Sequence, residues 1–431
     1  MFSFPYYIAV LPTILFLLCA KEYNKYFFAA LFFLATFDVT IIAKAGLTVG
    51  FFELGLILLF LKQLKMGNMK LCFQGKDKIY LSFLLFSFIS IIIANVRLAI
   101  GDLSVKENEL LPFLRSFMSL GKYIFYFVTI IFIRDHLAIN NKEFMYGIAL
   151  GGLPAAIAVI LQALPFFNFI LIHNNPSLME PILRIAEYSG ELRPVGLTNE
   201  ASFFAYQISF SLLALTEIIL CCGVNKLKSF IIVIYGAAII ISLSRTGYLA
   251  MIIIFMFYII SSNKLSKKIY LISLGLIIIY FLSFAEYYGF NVLERFISTF
   301  DVISDYSTIE RYGVTEALMS LALDKSILFG IGIYNYGYYI KEYLPESLYA
   351  FYDYDYAVPS FNFLIQVITE FGIPLFILFF AYIIKIYRRI DDRFSKRWLL
   401  LMLYFSLTFQ IFNFSVPFLL LFNRIPSNKS I

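Results

Sequence analysis

The sequence predicts an all-α polytopic integral membrane protein with about twelve transmembrane helices and one large extracytoplasmic loop. Three observations predict it. Of the 431 residues, 61% are hydrophobic and 14% charged, with a mean hydropathy of +0.84. A soluble domain holds about 45–50% apolar and about 25% charged residues, so this much Phe, Ile and Leu needs lipid as its solvent. The apolar runs are continuous rather than alternating, which argues against a membrane β-barrel. Lys and Arg cluster in the short loops, which orients spans in a membrane. The same composition excludes a cytosolic enzyme, a nucleic-acid binder and a disordered chain.

A spanning helix needs about 20 mostly apolar residues. The runs that qualify are 4–20, 26–43, 46–61, 79–96, 113–133, 145–172, 199–222, 229–244, 246–262, 269–285, 358–384 and 398–422. The first lacks a basic leader and a clean cleavage site, so it reads as a span and not a signal peptide. Residues 1–285 thus hold helices one to ten, 286–357 the large loop, and 358–431 the last two helices and the C-terminus. Lys62 to Lys78, Lys226 and Lys228, Lys264 to Lys268 and Lys385 to Arg397 face inward. The segments 97–112, 173–198 and 286–357 then face outward, as do both termini. Within the large loop, Ile309, Val314, Ala317, Leu318 and Leu321 space an amphipathic helix over 308–323, lying on the membrane surface or packed on the bundle. Gly330, Gly332 and Gly337 interrupt helix after it.

Charge at membrane depth or at an outer rim is costly and is usually kept for a site. Topology places Arg193, Arg245 and Arg311 on one side. Guanidinium binds phosphate bidentately and stays charged, so such a group suits a lipid-linked phosphate or diphosphate. Interfacial anchoring, or pairing with Asp301, Asp305 or Glu310, is the plainer alternative. Glu200 opens a helix in LTNEAS, which Thr198 or Asn199 would cap. It reads as a general base, or as a carboxylate favoured by the helix dipole. Tyrosines crowd 334–356, and their faces and hydroxyls suit sugar rings as well as an interfacial belt. Asn362, Gln366 and Glu370 share one face of the 358–384 run, facing a wet interior or bonding another helix. Asp38 and Lys122 sit within spans as candidate partners of each other. His173 reads as interfacial. Asp353-Tyr354-Asp355 resembles a metal-holding string, but it is short and lies in a Tyr/Asp-rich loop. Cys19, Cys72, Cys221 and Cys222 form no CxxC pair, and no metal site, cofactor or disulfide framework is expected.

The ordered segments RPVGLTNEASFFA (193–205), SLSRTGYLA (242–250), ERYGVTEAL, LFGIGIYNY (328–336) and SFNFLIQVITEFGIP (360–374) resemble the bacterial O-antigen polymerase and O-antigen ligase superfamily. The resemblance covers about 190–385. It implies metal-independent glycosyl transfer at the outer face of the bacterial plasma (inner) membrane, with no cofactor. The implied substrate is an undecaprenyl-diphosphate-linked oligosaccharide, with membrane lipid and a chain-length regulator protein as partners and no nucleic acid. Glu200, Arg193, Arg245 and Arg311 would be catalytic. Tyr334, Asn335, Asn362 and Glu370 would bind substrate. Ala201 stands where such polymerases often carry proline. Phe361 stands where ligases carry histidine before asparagine, which favours the polymerase branch, in lipopolysaccharide or capsule synthesis. A ligase transferring glycan to lipid A-core, a lipid-linked oligosaccharide flippase and an envelope scaffold are the alternatives. Against the flippase, the sequence shows neither the internal repeat nor the midplane charge cluster expected of such a transporter, and its 72-residue outer loop is awkward for one.

Overall fold

The computed structural model describes residues 7–20, 22–37, 40–44, 47–65, 78–101, 112–136, 141–163, 194–198, 200–261, 275, 280, 306–325, 327–333, 335–349, 360–390 and 392–408. In chain order the elements are α1 (Tyr7–Cys19), α2 (Lys25–Ala35), β1 (Thr40–Lys44), β2 (Leu47–Gly50), α3 (Phe51–Lys65), α4 (Lys78–Ala99), α5 (Pro112–His136), α6 (Asn141–Gly151) and α7 (Leu153–Gln162). There follow α8 (Ala201–Cys222), α9 (Lys226–Ile241), α10 (Arg245–Ser261), α11 (Tyr306–Lys325), α12 (Tyr336–Tyr339), a 3-10 turn (Ile340–Tyr343), α13 (Glu346–Tyr349), α14 (Phe363–Phe371), α15 (Ile373–Arg389) and α16 (Arg393–Ser406).

The expected twelve-span architecture is corrected by these elements. Among the described residues, two helical stretches are long and apolar enough to cross a membrane, Lys142–Gln162 and Ala201–Cys222. The expectation of a multi-pass protein of the inner membrane with an outward-facing site is corrected with it. The reasons are local. The runs 26–43 and 46–61 are broken by β1 and β2, where Thr40, Ile41, Ile42, Thr48 and Val49 favour extended backbone. The run 358–384 is cut at Gly372, whose φ is +83, with Pro374 just beyond. α9 and α10 have 16 and 17 residues, or about 24–26 Å at 1.5 Å per residue, short of a core about 30 Å thick. α5 carries Arg115, Lys122, Arg134 and Asp135 along its length. The run 269–285 lies outside the described residues except for Gly275 and Tyr280.

The chain divides into two compact units, 1–41 with 49–69 and 137–301, and 42–48 with 70–136 and 302–431. In the first, α8 is buried on all sides from Ala201 to Ile219 except Phe203, Gln207 and Glu217 included, as a helix enclosed by others. α6 lies close on α2 because Gly147 and Gly151 face it. A Cβ on Gly147 would sit 2.3 Å from the Phe28 Cβ, and one on Gly151 2.6 Å from the Ala29 carbonyl. α8 ends at Gly223, with φ +76 and its N–H bonded to the Ile219 carbonyl at 3.0 Å.

In the second unit the core is built on α11. Val314, Ala317, Leu318 and Leu321 pack with Ile331, Tyr336, Tyr339, Ile340, Leu344 and Leu348. The amphipathic helix expected over 308–323 is thus present and packed by its apolar stripe, although Ile309 points outward. Burying each large side chain of that stripe is worth about 1.5–3 kcal/mol. α14 lies against α11, where the Thr369 hydroxyl donates to the Leu318 carbonyl at 3.1 Å.

Candidate functional site

The expected site residues fall in both units, and each set is taken by itself. Arg193, Tyr334, Asp38, His173, Asp353 and Asp355 lie outside the described residues.

In the first unit the site is the end of α8 that carries Glu200. The chain reaches it through a buried turn, 194–198. Gln162, the last residue of α7 and 4% exposed, holds that turn. Its Oε1 accepts from the Val195 and Gly196 N–H groups at 3.0 and 2.8 Å, and its Nε2 donates to the Gly196 carbonyl at 2.9 Å. Gly196 has φ +67, a left-handed position that suits glycine. The Thr198 hydroxyl donates to the Val195 and Glu200 carbonyls, each at 2.8 Å. Glu200 itself is the N-cap residue of α8, with extended φ −143 and ψ 142, in place of Thr198 or Asn199. Its side chain makes no capping bond to the helix and instead accepts from the Ser202 hydroxyl.

Arg245 is the first residue of α10, after a three-residue turn from α9. Leu243 in that turn has φ +53, left-handed for a branched-chain residue, and is buried. The strain is held from both sides. The Tyr248 hydroxyl donates to the Ile240 carbonyl at 3.0 Å, and the Gly247 N–H donates to Ser244 Oγ at 3.3 Å. A Cβ on Gly247 would lie 2.8 Å from the Ala205 Cβ. α10 and α8 therefore touch near their N-termini, which sets Arg245 and Glu200 at the same end of neighbouring helices. Half-buried at a helix start, Arg245 presents positive charge where the helix dipole also favours an anion.

In the second unit the Arg311 guanidinium lies 5.3 Å from the centroid of the Phe361 ring. Tyr404 on α16 feels the charge of Arg311. Asn362 caps α14, its Oδ1 accepting from Leu364 and Ile365 N–H at 3.1 and 3.2 Å. Glu370 is buried and accepts from Gln366 Nε2 at 2.8 Å. Asn335 is fully buried, donating to the Ile331 carbonyl at 3.2 Å and accepting from Ser116 at 3.5 Å. Lys122 is buried with its ammonium 5.8 Å from the Tyr126 ring centroid.

The two glycine motifs meet here. The Ile331 and Gly332 N–H groups donate to the Thr369 and Glu370 carbonyls at 3.0 and 3.1 Å, and Ile373 N–H donates to the Ile327 carbonyl at 2.9 Å. A Cβ on Gly330 would fall 2.1 Å from the Glu370 oxygen, and one on Gly372 2.4 Å from the Leu328 oxygen. Gly337, read as a helix breaker, lies inside α12. Among the described residues no three His, Cys, Asp or Glu side chains stand where they would hold a metal ion.

Sequence reasoning missed Gln162, Ser202, Arg115 and Tyr404. Gln162 had a signal, a lone polar side chain ending the apolar run LPAAIAVILQ. Arg115 is set at 5.6 Å over the Tyr338 ring, a long-range pairing with no local sequence mark.

A family model described as O-antigen ligase matches residues 230–380. The chain is also 25% identical over 308 residues to a Klebsiella pneumoniae protein described as an uncharacterized 49.5 kDa protein in the cps region. That match covers 68% of this chain, which spans 65% of the length of the relative. The two likenesses support a membrane-associated protein of polysaccharide biosynthesis. They do not single out the polymerase branch.

Proposed function

We propose that the protein transfers a glycan from a lipid-linked diphosphate donor to an acceptor, in the manner of an O-antigen ligase. The observation that carries this reading is the match over 230–380, which takes in Arg245 and Arg311 together. The Glu200 carboxylate takes the proton of the acceptor hydroxyl, and that oxygen attacks the donor anomeric carbon. The bond from that carbon to the diphosphate breaks, and its electron pair leaves on the diphosphate oxygen, where the Arg245 charge stabilises it. One displacement inverts the anomeric centre. By the resemblance Arg193 also engages the diphosphate, and Arg311 engages donor glycan or phosphate in its own unit. In that unit Asn362 caps α14 next to the Phe361 ring, and Asn335 and Glu370 are buried side chains that the resemblance assigns to substrate binding. A polymerase is the second reading. Phe361, under the Arg311 guanidinium, occupies the place where the resemblance puts a ligase histidine.

The test is transfer by the purified chain from a lipid-diphosphate-linked repeat unit in EDTA, with and without lipid A-core. Product that requires lipid A-core makes it a ligase, and a ladder without it makes it a polymerase. Arg245→Ala and Glu200→Gln are each expected to lower transfer about 100-fold or more. No product in either arm refutes glycan transfer.

A further inference from the structure

We infer that Ser202 is a positioning residue, whose hydroxyl aims the Glu200 carboxylate at the acceptor. The inference deepens the proposed transfer and rests on it. The backbone of Glu200 is already fixed. Its carbonyl accepts from the Thr198 hydroxyl at 2.8 Å and from the Phe203 and Phe204 N–H groups at 3.1 Å each. The side chain is the part that can still turn. A carboxylate at the start of a helix ordinarily folds back onto the second or third N–H group. The Glu200 side chain makes no such bond, and its Oε1 accepts from the Ser202 hydroxyl instead.

Ser202 is placed to keep that bond. It lies buried in the first turn of α8, and a buried hydroxyl left without a partner is costly. Other serines of α8 spend their hydroxyls on backbone. Ser209 donates to the Ala205 carbonyl at 2.6 Å and Ser211 to the Ile148 carbonyl at 3.0 Å. Ser202 donates to a side chain, and to the half-buried one that the proposed transfer uses as its base. Glutamate has several rotatable bonds, and a base that must meet one acceptor oxygen is idle in every other orientation. With Oε1 tied to the wall of α8, the carboxylate takes its direction from the helix. Ser202 exchanges no proton with substrate in this scheme and acts through Glu200.

The experiment is transfer by the full purified chain from a labelled lipid-diphosphate-linked repeat unit, with whichever acceptor supports it, read as kcat and KM. Ser202→Ala is expected to lower kcat roughly tenfold or more and to leave the donor KM unchanged. Ser202→Thr keeps a hydroxyl and is expected to stay within about threefold of wild type. In the Glu200→Gln chain, which has no base to aim, adding Ser202→Ala is expected to change the residual transfer by less than about twofold. Ser209→Ala removes a buried hydroxyl from the same helix and is expected to transfer as wild type does. Ser202→Cys has a far weaker donor in a similar volume, and is expected to show the loss if Ser202→Ala fails to fold. Wild-type kcat in Ser202→Ala overturns the proposal. So do a full further loss on top of Glu200→Gln, a Ser202→Thr chain as slow as Ser202→Ala, and an equal loss in Ser209→Ala. Wild-type transfer by Glu200→Gln removes the base itself, whereas loss in Glu200→Gln with none in Ser202→Ala keeps the base and removes only its positioning. No product from the wild type refutes the transfer and this role with it.

Discussion

Gln162 makes three hydrogen bonds to a turn more than thirty residues further along the chain. Leucine in its place keeps the volume and strands two N–H groups and a carbonyl in a buried turn. Gln162→Leu is therefore expected to destabilise by about 2–5 kcal/mol, read from denaturant unfolding, and to lower transfer because Glu200 follows that turn. At Leu243 two effects compete. Glycine relieves about 1–2 kcal/mol of left-handed strain but removes a buried leucine worth about 2–5 kcal/mol. Packing wins, so Leu243→Gly is expected to lower the melting temperature; a rise would mean that the strain outweighs the packing. Asn362 offers a cleaner separation. If it acts as a cap, Asn362→Ala costs about 1 kcal/mol and lowers transfer, and Asn362→Asp restores both. Restored stability without restored transfer would place its amide on the substrate. The lone glutamate at the start of α8 is a mark that local sequence carries, although the sequence put the cap at Thr198 or Asn199 and read Asn362 as a site residue rather than a cap. The partner of Gln162 is no such mark, because its bonds join segments brought together by the fold.

At the scale of elements, the clasp between 327–333 and the α14–α15 junction is the feature most exposed to test. Gly330 and Gly372 both have positive φ, and with no room for a Cβ Gly330 faces the Glu370–Phe371 backbone and Gly372 the Leu328–Phe329 backbone. Alanine at either position meets backbone oxygen, which does not yield as a side chain would. Gly330→Ala and Gly372→Ala are each expected to cost more than the roughly 1 kcal/mol of an unfavourable φ alone, and to open this segment to limited proteolysis. Protection equal to wild type would show that the two strands of chain move apart at little cost. Helix α11 was legible in the sequence because its 3.6-residue stripe reads directly as a buried face. The clasp was not. Glycines in LFGIGIYNY and TEFGIP show where helix stops, but not that the two stops fill each other. Nor did periodicity reveal β1 and β2, since a short apolar run reads alike as strand or buried helix.

For the whole molecule, the local breaks account for part of the difference between twelve expected spans and the two candidate helices among the described residues, and a more general cause adds to them. Hydropathy measures how much a helix avoids water, not whether lipid or another helix covers it. α8 shows the ambiguity in a single element. It has 22 residues and the hydropathy of a span, yet its candidate window is 89% buried inside the protein. A buried core helix and a crossing helix both meet that description. Its ends separate them. Cys221 and Cys222 are exposed at one end, beside Lys226 and Lys228, and Glu200 stands at the other. In a chain with its four cysteines changed to serine, a cysteine restored at 222 or introduced by Glu200→Cys is reached by a membrane-impermeant maleimide from the side on which it lies. At about 1.5 Å per residue α8 is about 33 Å long, enough to cross a hydrocarbon core of about 30 Å. If α8 crosses, the two positions label from opposite faces of sealed vesicles, and the 142–162 helix is the next to probe. If both label from one face, α8 is an enclosed core helix, and the proposed lipid-linked donor would have to be met from the membrane surface.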